Sequence, residues 1–211
     1  MTKPLGVILA GGLATRMGGG DKGLLQIGGQ SLLARVRDRL EPQVSGLALN
    51  ANGDAARFAD LGLPVVADSI DGFAGPLAGV LAGLDWAAGQ GADAIVTAAA
   101  DTPFFPTDLV ARLVEASKGQ AHPLVLATTP RTGDALKSGG RSKVNRHPTF
   151  GLWPAALRDD LRAALKDGLR KVVLWTDQHG GREALFEATP FDPFFNVNTP
   201  ADLTRAEELM R

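Results

Sequence analysis

The apolar run from Gly6 to Ala10 stops abruptly at Gly11-Gly12 and is followed by Leu13-Ala14-Thr15-Arg16-Met17-Gly18-Gly19-Gly20-Asp21-Lys22-Gly23. The run reads as a buried strand, because a strand covered on both faces carries no polar alternation. Open parallel sheets bind ligands beyond the carboxyl ends of their strands, and this connection stands there. Glycines let backbone N–H groups approach a phosphate closely. Arg16 and Lys22 add two positive charges, which suits a triphosphate. Other phosphate loops fit badly. A dinucleotide fingerprint needs G-x-G-x-x-G, which Gly11-Gly12-Leu13 breaks, and a Walker loop needs Gly-Lys-Ser/Thr, whereas Lys22 lies between Asp21 and Gly23.

Beyond this connection, short apolar runs alternate with amphipathic ones. Ser31 caps an expected helix with Leu32, Leu33, Val36 and Leu40 on one face, ended by Pro42. Strands are expected at Val44–Asn50, Leu63–Ala67, Ala94–Ala100, Leu124–Thr128, Thr149–Trp153 and Ala184–Glu187. Helices are expected at Asp54–Leu61, Pro76–Ala88, Pro106–Ser117, Pro154–Lys166 and from Thr199-Pro200-Ala201-Asp202 to about Met210. Lys171–Gln178 fits helix or strand equally. Pro130–Arg146 carries Lys137, Arg141, Lys143 and Arg146 with few apolar residues, and reads as a mobile loop or a long hairpin tip. Strands spaced by helices imply right-handed crossovers, hence an α/β chain with a Rossmann-like, mostly parallel sheet in a three-layer αβα sandwich.

Composition narrows the chemistry. There is no Cys among the 211 residues, which excludes a thiolate nucleophile, a disulfide framework, Cys-ligated zinc and an iron–sulfur cluster. There is no Tyr either. The formal net charge of −1 gives no global pull toward nucleic acid or anionic membrane, so any anion site is local. No apolar run has membrane-spanning length, and the expected compartment is the cytoplasm.

The glycine-rich segment resembles the signature L-A-G-G-x-x-x-R-M-G-x-x-D-K of the molybdenum cofactor guanylyltransferases, the MobA family. It matches through Leu9, Ala10, Gly11, Gly12, Arg16, Met17, Gly18, Asp21 and Lys22. Related nucleotidyltransferases usually carry Ala-Ala-Gly and Pro-Lys in these places. The resemblance continues through Asn50-Ala51-Asn52, Asp68, Gly75-Pro76-Leu77-Ala78-Gly79, Asp101-Thr102-Pro103, His147-Pro148-Thr149 and Asn196-Val197-Asn198-Thr199-Pro200. The Pro130–Arg146 stretch is longer and more basic than that pattern expects.

The resemblance implies a nucleotide-diphospho-sugar transferase type of fold in one nucleotidyltransferase domain over residues 1–211. Residues 1–103 would form the nucleotide-binding half, and 104–211 the acceptor-binding half, with a flexible loop at about 130–146. It implies GMP transfer from GTP to the phosphate of molybdopterin, with Mg2+ as cofactor. Molybdopterin-handling proteins and target molybdoenzymes are the implied partners. Leu9, Ala10, Gly11, Gly12, Lys22, Asn50, Asp68 and Asp101 would bind GTP. Arg16, Lys22 and Asp101 would be catalytic, Asp101 the magnesium ligand, and Asn196 and Asn198 would lie on the acceptor side. The alternatives are a cytidylyl- or sugar-1-phosphate nucleotidyltransferase, or a nucleotide-binding homologue without activity.

Each residue also has a plainer reading. Asp101 can cap the turn before Pro103, Lys22 can pair with Asp21, and Asn50 and Asp68 can serve turns at strand ends. Asn196 and Asn198, two apart in an extended segment, point the same way, yet can simply satisfy backbone ahead of a helix. His147 reads as structural. The basic stretch reads as solvated, with attraction of an anionic pterin phosphate or a partner protein as the other reading.

Overall fold

The computed structural model describes residues 3–11, 22–70, 72, 75–131 and 144–210. The first strand, β1 (Leu5–Leu9), is wholly buried, as its unbroken apolar run requires. After a 3-10 turn at Lys22–Leu24 comes a short hairpin, β2 (Gln26–Ile27) and β3 (Gln30–Ser31). Its two turn residues, Gly28 and Gly29, have φ of 54° and 79°, a turn only glycine adopts cheaply. The helical and strand patterns expected above do not contain this hairpin.

The chain continues through α1 (Leu32–Leu40), β4 (Leu47–Asn50), β5 (Val65–Val66), α2 (Pro76–Gly89), β6 (Ala94–Ala99) and α3 (Leu109–Ala116). The second half contains β7 (Val125–Pro130), β8 (Val144–Pro154), α4 (Arg158–Lys166), α5 (Val172–Gln178), β9 (Arg182–Leu185) and α6 (Pro200–Glu208). Ser31 caps α1 by accepting from the Ala34 amide at 3.1 Å. The helix expected at Asp54–Leu61 is a 3-10 helix, Ala55–Leu61, with Asp54 as its cap, and not an α-helix; Gly62 closes it at φ 65°. The ambiguous Lys171–Gln178 segment is helical, with Val172, Trp175 and Thr176 buried on one face.

Seven strands of the described residues form one sheet in the order β5-β4-β1-β6-β8-β7-β9. The pairs β5–β4, β4–β1, β1–β6 and β7–β9 are parallel; β8 runs antiparallel to both its neighbours. β8 begins at Val144, five residues before the expected strand, and pairs there with Pro130. Arg146, expected in a mobile loop or a long hairpin tip, is therefore in a strand that pairs antiparallel with β7. Its guanidinium is held at 2.8 Å by Asp177 and at 2.7 Å by Glu183. Lys137, Arg141 and Lys143 lie outside the described residues.

Side chains alternate across the sheet and build two cores. Ile8, Leu49, Val96 and Ala98 pack with α1 and α3 through Leu33, Val36, Leu109 and Leu113. Val7, Leu9, Ile95 and Trp153 pack on the other face with Leu77, Val80, Leu84, Leu161, Val172 and Trp175 of α2, α4 and α5. The buried Trp153 indole N–H donates to Thr97 Oγ1 at 2.9 Å, so a large ring is buried without an orphaned donor. The result is helices on both faces of a mostly parallel sheet. Among the described residues no helix is long and apolar enough to cross a membrane.

Candidate active site

Register places the candidate residues in one row. Leu9 pairs with Asn50 on one side and with Ala99 on the other, so β1, β4 and β6 end together. The ladder continues one bond further: Ala10 N–H donates to Asn50 O at 2.9 Å and Ala100 N–H to Leu9 O at 3.0 Å. Asn50 pairs with Val66 of β5, which brings Asp68 to the same edge. Beyond these ends lies a cleft of about 870 Å³, within the range that takes a nucleotide. Leu9, Ala10, Gly11, Lys22, Asn50, Asp68, Asp101 and Asn196 line it. Gly12 and Arg16 lie outside the described residues.

The charges in the cleft are sheltered. Lys22 Nζ donates to Asn198 Oδ1 at 2.6 Å and stands 3.9 Å from Asp101 Oδ2. Their side chains are 21% and 25% exposed, so the pair is poorly screened by water. Burial pushes the Asp101 carboxyl above its ordinary value; the Lys22 charge and the Thr102 hydroxyl offset this only in part. Asp101 thus carries a charge that its protein neighbours incompletely stabilise. That fits a cation of the magnesium class, which takes one or two carboxylates and completes its shell with waters and phosphates. Among the described residues no group of three or more acids or histidines is placed to hold a metal alone. The start of α2 at Gly75 and Pro76 also lines the cleft and has no side-chain cap, so the positive end of its dipole is exposed there.

The last motif reaches this site from the far end of the chain. Val197 N–H donates to Asp101 O at 2.9 Å, and the Thr102 hydroxyl donates to Asn196 Oδ1. The expected capping box at Thr199 is present: Thr199 Oγ accepts from the Asp202 amide at 3.2 Å, and Asp202 accepts from the Thr199 amide at 2.8 Å. Asp202 also accepts from the Asn198 amide at 3.0 Å, which fixes the residue that holds Lys22. His147 is not among the described residues lining the cleft. Its Nε2 is 2.9 Å from Thr129 Oγ1 and its ring stacks on Phe194 at 4.3 Å. Burial holds its pKa below the ordinary value, with Asp192 opposing, so it is a neutral packing residue.

Three lining or supporting residues were not assigned a role from sequence. Asn52 bonds Asp68, and a second Asn two residues after Asn50 was the signal, by the same spacing that singled out Asn196 and Asn198. Thr102 is fully buried between Asp101 and Asn196, 94 residues apart from the latter, which no local pattern predicts. Gly79 sits on α2 where a Cβ would overlap Asn50 Oδ1 and stand 2.9 Å from Leu9 Cδ2. Gly79→Ala is therefore expected to cost about 1–3 kcal/mol through overpacking, despite the better helix propensity of alanine. It should also weaken nucleotide binding by displacing Asn50. Thermal unfolding and nucleotide titration of the variant check both.

Known proteins share the sequence and the fold of this chain. Residues 6–181 match the family described as the MobA-like NTP transferase domain. The molybdenum cofactor guanylyltransferase of Rhodopseudomonas palustris (strain BisB5) is 54% identical over 206 residues, covering 96% of this chain and 92% of that protein. The enzyme of the same name from Mesorhizobium japonicum is 48% identical over 211 residues, covering 98% and 95%. In fold, the chain is similar to molybdopterin-guanine dinucleotide biosynthesis protein A from Archaeoglobus fulgidus, with TM-score 0.69, 22% identity and 98% of each chain covered. It is also similar to 4-diphosphocytidyl-2C-methyl-D-erythritol synthase from Anaerococcus prevotii, with TM-score 0.73, 14% identity and coverage of 100% and 97%. A match spanning both halves of the sheet, with about half of all residues shared along nearly the whole length, makes the chain a member of the MobA-like NTP transferase family.

Proposed function

We propose that this chain transfers GMP from GTP to the terminal phosphate of molybdopterin, or of its molybdenum-loaded form, releasing pyrophosphate and yielding the guanine dinucleotide cofactor. One observation carries the reading. In a chain 54% identical to a named molybdenum cofactor guanylyltransferase, Lys22 and Asp101 meet across 3.9 Å in a cleft of nucleotide size.

The nucleophile is an acceptor phosphate oxygen, already ionised at neutral pH. It attacks the α-phosphorus of GTP; the bond from that phosphorus to the bridging oxygen breaks, and pyrophosphate leaves with the electron pair. No side chain removes a proton, which agrees with the absence of Cys and Tyr and with a His147 that packs on Phe194 and is not among the described residues lining the cleft. The difficulty is bringing two anions together in line, so catalysis rests on positioning and charge neutralisation. Lys22 holds the triphosphate and offsets the charge developing on pyrophosphate. Arg16, in the same connection, is assigned a second cationic share. Leu9, Ala10, Gly11 and Gly12 offer backbone to the nucleotide. The Asp68 carboxylate accepts from the guanine edge, whose N1–H and exocyclic amine are both donors. Asp101 would hold Mg2+, which when bound supplies further neutralisation of the phosphates.

Thr149 and Asn196 line the cleft and Asn198 stands behind Lys22; these are assigned to the acceptor's side, with residues 1–103 handling nucleotide and 104–211 the pterin. Mg2+ as the metal, the cytoplasm as the place of work, and handover to molybdoenzymes follow from the same reading. The test is a nucleotide panel with molybdopterin as acceptor and pyrophosphate release as readout. GTP is expected to exceed CTP, UTP and ATP by roughly 10²-fold or more in kcat/KM, the discrimination that unpaired polar groups enforce. Preference for CTP or UTP would overturn it.

A further inference from the structure

We propose that Asn52 is a positioning residue: its amide sets the Asp68 carboxylate for reading the base, and so it governs selectivity for guanine. The inference rests on the GMP-transfer reading and extends it to a residue outside the phosphate and metal machinery.

Asp68 lies past the end of β5, outside any regular element, and lines the cleft half-buried. A side chain there has no helix or strand to hold its rotamer. Two hydrogen bonds to its carboxylate and one from its backbone amide hold it, and two of the three are made with Asn52. Asn52 Nδ2 donates to Asp68 Oδ2 at 2.8 Å, and the Asp68 amide donates back to Asn52 Oδ1 at 2.9 Å. The third is Asn50 Nδ2 to Asp68 Oδ1 at 2.9 Å; that same Nδ2 also donates to Val66 O at 3.1 Å. Asn50 Nδ2 thus gives one N–H to the β5 backbone and the other to the carboxylate, whereas Asn52 grips Asp68 by both side chain and backbone.

Asn52 is itself fixed. Arg57 Nη2 donates to Asn52 O at 2.5 Å, and Gly53 follows with φ 84°, turning the chain back. The clamp therefore runs from the Arg57 guanidinium through Asn52 to Asp68.

The consequence is a carboxylate with one lone pair of each oxygen already used. A carboxylate accepts about four hydrogen bonds, so one acceptor position per oxygen remains. Two parallel acceptors match two parallel donors, the guanine N1–H and N2–H. Adenine offers an acceptor at N1, which meets the carboxylate repulsively. Hypoxanthine keeps N1–H and lacks the amine. Reading the amine needs both oxygens held in place, and Asn52 holds the second one. Preorganisation of this kind raises affinity by removing the ordering cost at binding.

The experiment titrates the full chain calorimetrically with Mg-GTP, Mg-ITP, Mg-ATP and Mg-pyrophosphate. It compares the wild type with Asn52→Ala and with Asn52→Asp, which keeps an acceptor for the Asp68 amide but replaces the donated bond with a carboxylate facing Asp68 Oδ2. The wild type is expected to favour GTP over ITP by about tenfold, the worth of one well-made hydrogen bond to a charged group. In both variants GTP affinity falls by about tenfold and the GTP-to-ITP ratio drops toward unity, while pyrophosphate affinity and Tm stay at wild-type values. An unchanged ratio in both variants overturns the role of Asn52 and leaves GMP transfer standing. Loss of pyrophosphate affinity in step with GTP would make Asn52 a structural support and also overturn it. A wild type that binds ATP as well as GTP would remove the parent reading itself.

Discussion

Lys22→Ala is expected to lower kcat for GMP transfer by about 10²–10³-fold, the usual loss when one preorganised donor to a developing oxyanion is removed. The size follows from where the ammonium stands. It is four-fifths buried, anchored at 2.6 Å by Asn198, and the Asn198 amide is in turn tied to the capping box of α6. A cation held this way needs no reorganisation when charge develops. Lys22→Arg is expected to restore little, because a broad planar guanidinium cannot take the place of the compact ammonium between Asn198 and Asp101. A second signature is distinctive. The Lys22 charge lowers the Asp101 pKa against the larger effect of burial, so its removal raises that pKa further. The acid limb of the pH–activity profile should then shift upward in Lys22→Ala. Steady-state kinetics across pH check both. Activity within threefold of wild type, with an unmoved acid limb, would take Lys22 out of the chemistry.

How far these residues were visible in the sequence depends on the range of the interactions that place them. Leu9, Asn50 and Asp101 were legible because each ends a buried apolar run, and a run has a readable end. The α6 start was legible because cap, proline and acid lie within four residues, which is all a capping box needs. The early part of β8 was not. Asn145, Arg146 and His147 are polar, and polarity in a row reads as loop. They are strand residues because Arg146 finds Asp177 and Glu183, 31 and 37 residues away, and His147 finds Thr129 and Phe194. The hairpin at Gln26–Ser31 was hidden for another reason: its strands are two residues long, too short to show a period. The same limit explains the site. Lys22 and Asp101 each announced themselves locally, but that Asn198 holds Lys22 across 176 residues, and that Thr102 meets Asn196, are facts of the closed sheet.

Asp101→Asn should abolish transfer, by roughly 10³-fold or more if the carboxylate holds the metal, and yet make the ligand-free protein more stable at neutral pH. The sign comes from its surroundings. Burial is the largest influence on Asp101 and opposes its charge; Lys22 at 3.9 Å and the Thr102 hydroxyl at 3.3 Å do not cancel it. The folded pKa therefore lies above the ordinary 3.8, and the ionised carboxylate is less stable in the folded chain than in the unfolded one. A neutral amide of the same shape removes that cost, worth about 2–4 °C in Tm for each kcal/mol recovered in a chain of this size. The gain should shrink as pH falls through the folded pKa toward 3.8, because wild-type Asp101 then takes up its proton more readily folded than unfolded. Added Mg-GTP should reverse the order. Ligand at a hundred times its Kd stabilises the wild type by about 2.7 kcal/mol, and a variant that binds it weakly gains less. Calorimetric unfolding with and without Mg-GTP, repeated from pH 8 to pH 4, reads both effects. An Asp101→Asn protein less stable than wild type without ligand at neutral pH would mean that the carboxylate serves the fold, with no tension between stability and catalysis at this residue.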